Sequence, residues 1–302
     1  MIRIDTLESR PLAAIVNYAC HPTVLGPTNR LISPDYPGSM RRTVEQATGA
    51  TCFFIQGAAG DMGPAETFVG DAAVARRLGT QLGLEAARVF LGLDTRPVRK
   101  ELVGVIASGA PLAEYREVPV EAPAPTLAFA SQSVDLPTRS PFSDVYEKAP
   151  EQLREARTQL ENLERTGADA RMVGAALQRV VRLGLRADRM ARYQGKKTLP
   201  VESHALRLGD TAIAAIAGEP YCRIGVDVKS RSPFPGRTLF GGYVGGDMMY
   251  ICTAEAYGHD SPPMQVDNSP YAPEAAQVAT DHLSGLLRRV ASAASGAAGE
   301  RA

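Results

Sequence analysis

Short apolar runs alternate along this chain with longer stretches whose apolar positions recur every three or four residues. Residues 11–20 (Pro-Leu-Ala-Ala-Ile-Val-Asn-Tyr-Ala-Cys) form the first run, expected to be a buried strand that ends at His21-Pro22. A loop rich in proline, glycine and asparagine continues through Gly38, and residues 39–47 predict a short helix. Residues 51–56 (Thr-Cys-Phe-Phe-Ile-Gln) predict a second buried strand, closed by the small-residue turn Gly57-Ala58-Ala59-Gly60-Asp61. From Asp71 to Leu91, the residues Val74, Leu78, Leu82 and Val89 fall at helical spacing with Arg and Glu between them. Strand, loop and helix, then the same again, imply an α/β fold: a layered mixed β-sheet core flanked by helices.

The middle of the chain is less regular. Short strands are expected at 103–106 and 134–136, joined by a proline-marked piece (Pro111, Pro119, Pro123, Pro125) that reads as an irregular crossing. Residues 144–195 then predict a charged helical hairpin inserted into the core and broken at Thr166-Gly167. Its first half carries Glu151, Glu155, Glu161 and Glu164; its second carries Arg179, Arg182, Arg186 and Arg189 as one helical stripe. No aromatic residues interleave these arginines, so an antiparallel pair with mutually balancing, solvated faces is a better reading than a nucleic-acid surface. Beyond Pro200, residues 205–208 and 211–217 flank Gly209-Asp210 as a hairpin that delivers Gly218-Glu219-Pro220. A helix, a strand near 238–242, the segment 250–257 and a last helix from Pro273-Glu274 follow, ahead of a frayed Ala/Ser/Gly tail over 292–302. Residues 1–302 read as one domain without internal repeats.

Composition narrows the function classes. A chain of 302 residues, 44% hydrophobic, is long enough for one large core. Lys+Arg and Asp+Glu are both 33, so no net field recruits nucleic acid or an anionic membrane. No apolar run approaches the roughly 18–20 residues of a membrane span. No apolar segment follows the opening Met-Ile-Arg as in a signal peptide, which implies a cytoplasmic protein, or a secreted one if the natural start lies upstream. Cys20, Cys52, Cys222 and Cys252 are far apart without a Cys-x-x-Cys pair, and are expected to be buried, inert thiols. Association into a homo-oligomer stays open.

Of the four histidines, His204 begins a strand, His259 sits in a polar loop and His282 in a helix, all unremarkable places. His21 stands at the C-terminal end of a buried strand, where α/β proteins build sites, although a hydrogen-bonded structural histidine looks the same. Glu219, delivered by Ile-Ala-Ala-Ile-Ala-Gly, is a carboxylate that needs a cation, an arginine or a metal if buried. A salt-bridged glutamate is the plain alternative. The turn 57–61 would let backbone N–H groups approach a substrate, but many tight turns share its composition.

Taken together these segments carry a resemblance. Asn17-Tyr-Ala-Cys-His21-Pro-Thr, Leu31-Ile-Ser-Pro-Asp35-Tyr-Pro-Gly38, Phe54-Ile-Gln-Gly-Ala-Ala-Gly-Asp61-Met-Gly-Pro64, Ala217-Gly-Glu219-Pro and Tyr250-Ile-Cys-Thr-Ala-Glu-Ala-Tyr257 resemble, in order and spacing, the catalytic domain of the neutral/alkaline, non-lysosomal ceramidases. The likeness implies a zinc site held by His21, Glu219 and Tyr250, and hydrolysis of an amide or ester bond of a small or lipid-like substrate by metal-activated water. Asp35 and Asp61 match family aspartates expected to stand behind the ligands or to fix loops. Gly57 and Tyr257 are expected to face the substrate. Three departures accompany the likeness. The family's upstream His-x-His-Ser-Gly-Pro histidine is missing, which implies an N-terminally incomplete domain or a catalytically inactive remnant serving as a binding module. Gly57 stands where the ceramidases carry a serine, and Gly245-Gly246-Asp247 where they carry an asparagine.

Overall fold

The computed structural model describes residues 1–26, 29–122, 124–140, 144–245, 249–259 and 263–293. Most of the expected tail, and Gly246 and Asp247, therefore lie outside the described residues. Strands β1 (Ile2–Asp5), β2 (Pro11–Tyr18) and β3 (Thr51–Gln56) form a three-stranded sheet, antiparallel between β1 and β2 and parallel between β2 and β3. Helix α1 (Asp35–Thr48) makes the crossing between the parallel pair, and α2 (Ala72–Gly92) lies on α1. The first helix begins before the expected residue 39, because Pro37 falls in its opening turn, where a missing N–H leaves no helical bond unmade. Asp71 caps α2 by accepting the Ala73 N–H at 2.7 Å. The two helices approach closely through Gly83, where a Cβ would lie 2.6 Å from Thr43 Cβ. Between them and the sheet lies a core of Ala14, Val16, Met40, Val44, Cys52 and Phe90.

Strands β4 (Val98–Ala107) and β5 (Pro111–Pro119) form an antiparallel hairpin that pairs with no other strand among the described residues. The expected irregular crossing is thus corrected: Pro111 and Pro119 mark the two ends of β5, positions where a strand tolerates a residue without an N–H, while Pro125 follows the strand and Pro123 lies outside the described residues. Strand β6 (Leu127–Pro137) is likewise longer than its apolar kernel at 134–136. The charged insertion is three helices, α3 (Asp144–Glu147), α4 (Ala149–Arg165) and α5 (Ala170–Tyr193). Leu153, Ala156 and Leu183 pack between α4 and α5, and Arg179 donates to Gln159, which makes them an antiparallel pair.

Strands β7 (Thr198–Leu208) and β8 (Thr211–Ile216) complete the expected hairpin, and the short β9 (Glu219–Pro220) follows directly. After α6 (Cys222–Ser230), strand β10 (Thr238–Gly241) joins β8 in parallel, giving a second sheet in the order β10-β8-β7-β6. Strand β11 (Tyr250–Ile251) pairs in parallel with β9, and the short helices α7 (Ala254–Tyr257) and α8 (Met264–Asp267) lead to α9 (Ala275–Ala291). Helix α9 covers the second sheet, burying Leu283 and Leu287 with Leu136, Ile216 and Phe240 in the main core. The α/β expectation of mixed sheets flanked by helices, with a charged hairpin inserted, is what the chain adopts. No helix among the described residues is long and apolar enough to cross a membrane.

The two larger sheets meet where the site lies. The Asn17 amide donates to Ile55 O at 3.0 Å and Phe240 O at 2.8 Å, while its oxygen accepts the Phe240 N–H at 3.2 Å. Gly242 N adds a bond to Gln56 O at 3.0 Å. A single side-chain amide thus does the work of a strand pair and brings the ends of β2, β3 and β10 to one place.

Candidate functional site

Chain ends of parallel strands carry the site. His21 follows β2, and its backbone is held from both sides. Its N–H donates to Met62 O at 2.8 Å, and the carbonyl before it, Cys20 O, accepts from the Tyr36 hydroxyl at 2.5 Å and Gln56 Nε2 at 3.1 Å. Glu219 opens β9, and its register partner on β11 is Tyr250. Paired residues project to the same face of a ladder, which brings the Tyr250 phenol beside the Glu219 carboxylate. His21 Nε2 lies 3.6 Å from Glu219 Oε2, with the two side chains 22% and 16% exposed, so the pair is reachable yet mostly out of water. His21, Glu219 and Tyr250 are therefore brought together.

Two further groups belong here that the sequence reading missed. The Tyr243 hydroxyl sits 3.1 Å from His21 Nε2, its ring edge-on to the imidazole at 5.6 Å, and it also neighbours the Glu219 carboxylate. Tyr243 has a left-handed φ of 63°, an unusual conformation for a bulky residue; the only signal for it was its setting in Gly241-Gly242-Tyr243-Val244-Gly245. Arg189, from the basic stripe of α5, places its charge toward Glu219.

Burial sets the electrostatics. It raises the Glu219 carboxyl above the ordinary carboxylate range; the Tyr250 phenol, the Arg189 charge and the Tyr243 phenol pull it partly back. It lowers His21 below an ordinary imidazole, against the opposing pull of Asp61. Tyr250 and Tyr243 are both pushed up, by burial first and then by the Glu219 charge. Without a cation, every group here leans toward its neutral form.

The remaining candidates take supporting places. Asp61 Oδ1 accepts the Cys222 N–H at 2.6 Å, capping α6 directly after Glu219, and Gly60 N donates to Pro220 O at 2.9 Å. The small-residue turn is thus the clasp that holds His21 against Glu219. Asp35 is 8% exposed, with its carboxylate bound to the backbone N–H groups of Leu25 (2.9 Å) and Tyr36 (2.7 Å), which ties the loop after His21 to α1. Tyr257 donates to Tyr271 O at 2.8 Å and meets Ser269 Oγ at 3.2 Å, inside a small core with Tyr221 and Cys252; burial pushes its hydroxyl up to about 12. A Cβ at Gly57 would stand 2.9 Å from Ala19 Cβ, so the missing serine side chain has no ready space. His204 stacks on Phe129 and meets Ser131, away from this cluster, and all four cysteines are free, with only Cys222 partly exposed.

Distance allows a test for zinc. Two donors about 2.0–2.2 Å from a tetrahedral ion stand roughly 3.3–3.6 Å apart, and His21 Nε2 and Glu219 Oε2 match at 3.6 Å. Among the described residues no group of three or more His, Cys, Asp or Glu side chains gathers, so a third donor from this cluster is a phenol.

No protein-family model matches the sequence, and no curated protein is a significant match. Solved structures do match. Neutral ceramidase from Pseudomonas aeruginosa aligns with a TM-score of 0.57 at 16% identity, over 96% of this chain and 46% of that one. A ceramidase complexed with C2 aligns with a TM-score of 0.51 at 16% identity, over 94% of this chain and 47% of that one. The chain spans about half the length of these structures. At such identity the likeness is one of fold, and in that respect the chain is built as the neutral ceramidases are.

Proposed function

We propose that the chain is a hydrolase domain that cleaves an amide or ester bond in a small, lipid-like substrate, with zinc held by His21, Glu219 and Tyr250. The observation that carries this reading is the His21–Glu219 separation of 3.6 Å, with Tyr250 held on the same carboxylate by strand register. Zinc at such a site supplies Lewis acidity, polarising a carbonyl and making water a better nucleophile at neutral pH. The residues themselves divide the remaining work. His21 presents Nε2, kept neutral by burial and held by Tyr243. Glu219 supplies the negative charge that burial alone would discourage, stabilised by Arg189 and two phenols. The Tyr243 hydroxyl, between Nε2 and the carboxylate, is placed to hold a proton near a leaving group. Gly57 offers no hydroxyl, so no step uses a side-chain nucleophile at that position.

A second reading has its own support. Among the described residues no more than two His, Cys, Asp or Glu side chains converge here, and Tyr243 already occupies Nε2, as in a site that keeps the fold and binds ligand without turnover. Hydrolysis of a fluorogenic N-acyl amide and its matching ester, with and without added zinc, separates the two. The hydrolase reading expects zinc-dependent release that His21→Ala and Glu219→Gln abolish. Absent release with both substrates supports the binding module, and zinc-independent release overturns both readings.

A further inference from the structure

The hairpin of β4 and β5 is the part of the chain whose apolar surface is least accounted for. Leu102, Val105 and Tyr115 share one of its faces and are 60%, 67% and 61% exposed; Ile106 and Leu112 on the other are 50% and 52% exposed. A lone two-stranded ribbon is marginal in water, and an open edge invites another strand. Which strand it invites is written in β5.

Val120 N donates to Pro97 O across the hairpin, so by alternation Val118, Arg116 and Glu114 turn their backbone groups toward β4. Ala113, Tyr115 and Glu117 turn theirs outward. The two prolines, at 111 and 119, fall on the outward set and bracket these three donors. An antiparallel second copy of β5 centred on Tyr115 uses every one of them: Tyr115 meets its own counterpart, and Ala113 and Glu117 meet each other. On the opposite face the same register sets Glu114 beside Arg116 of the other copy, and Leu112 beside Val118, in the non-hydrogen-bonded pairs where side chains are closest. The charge pattern is complementary to itself about Tyr115. Within one copy Arg116 pairs with Glu114 at 3.1 Å, an exposed contact worth little, so exchanging it across the axis costs little.

The other free edges fit less well. A symmetric register on β4 centred on Lys100 sets that lysine against its own copy, and a bulge between Leu102 and Gly104 interrupts the edge. The edge strand β6 presents Leu127 and Phe129, and its one charge, Asp135, leaves it no cation to answer Glu114.

We propose that β5 is a dimerisation edge, pairing antiparallel with β5 of a second copy about a two-fold axis at Tyr115 to give a continuous four-stranded sheet. Sedimentation equilibrium of the full chain over a concentration series tests it. Wild type is expected to dimerise. Glu114→Arg and Arg116→Glu each set like charges against each other and raise the dimer dissociation constant at least about tenfold. Mixed in equal amounts, these two variants are complementary and re-form a dimer, as does the double exchange E114R/R116E. Tyr115→Pro, which removes the central outward N–H without touching a hairpin bond, gives a folded monomer by circular dichroism. A wild-type monomer throughout the series overturns the proposal, as does a dimer indifferent to the single substitutions or single variants that fail to recombine.

Discussion

The Asp61 carboxylate accepts the backbone N–H of Cys222 at 2.6 Å, joining residues 161 apart in sequence. This bond fixes the turn after β3 to the start of α6, and so sets His21 and Glu219 at their separation. A charged acceptor at a helix N-terminus contributes about 1 kcal/mol. Asp61→Ala is expected to lower stability by about that amount in urea denaturation, and Asp61→Asn by less. If the bond positions the site, Asp61→Ala also weakens zinc uptake.

Gly57 is closed off by Ala19. Gly57→Ser is expected to destabilise by about 1–3 kcal/mol through overpacking, since the new Cβ meets Ala19 Cβ at 2.9 Å. In a double-mutant cycle with Ala19→Gly, part of that loss is recovered. Strict additivity would show that the crowding is relieved elsewhere.

Tyr243 and Tyr250 are expected to separate. Both lie beside Glu219, but Tyr243 also holds the His21 nitrogen that the proposed zinc would use. Tyr243→Phe frees that nitrogen and leaves zinc affinity unchanged or raised. Tyr250→Phe lowers it. A chromophoric chelator competition measures both, and equal losses would give the two phenols one role.

Stability is expected to fall on mild acidification. His282 on α9 is partly buried, with no hydrogen-bond partner at Nε2 among the described residues, and burial lowers its pKa, as it does for His21. The unfolded chain therefore binds more protons than the folded one just below the free-imidazole value of about 6.5. Stability conferred by the neutral rings is complete above that value and is lost as pH falls from it toward the lowered folded pKa. His282→Leu should flatten this slope in chemical denaturation at a series of pH values; an unchanged slope would assign it to His21 or to carboxylates.

What could be read from the sequence follows from which forces are local. Strands β2 and β3 and the hairpin of β7 and β8 announce themselves as apolar runs with a tight turn between or after them. The placements of His21 and Glu219 follow, because each directly succeeds such a run. Strand β5 does not announce itself, since its charges and terminal prolines resemble a loop and its pairing with β4 supplies the order. Tyr243 was hidden for another reason: β10 reaches β8 by a parallel crossover, so the loop after it meets His21 only in three dimensions. Asp61 and Asp35 were visible as residues but not as backbone acceptors, because their partners become neighbours only on folding.

The central claim is that His21 and Glu219, with Tyr250, form one zinc site. Calorimetric titration of zinc into the metal-free chain near neutral pH tests it most directly. One zinc per chain is expected, with affinity reduced by about 100-fold or more in His21→Ala and in Glu219→Gln while both variants stay folded. Wild type that takes up no stoichiometric zinc, or zinc uptake that both substitutions leave intact, would contradict it.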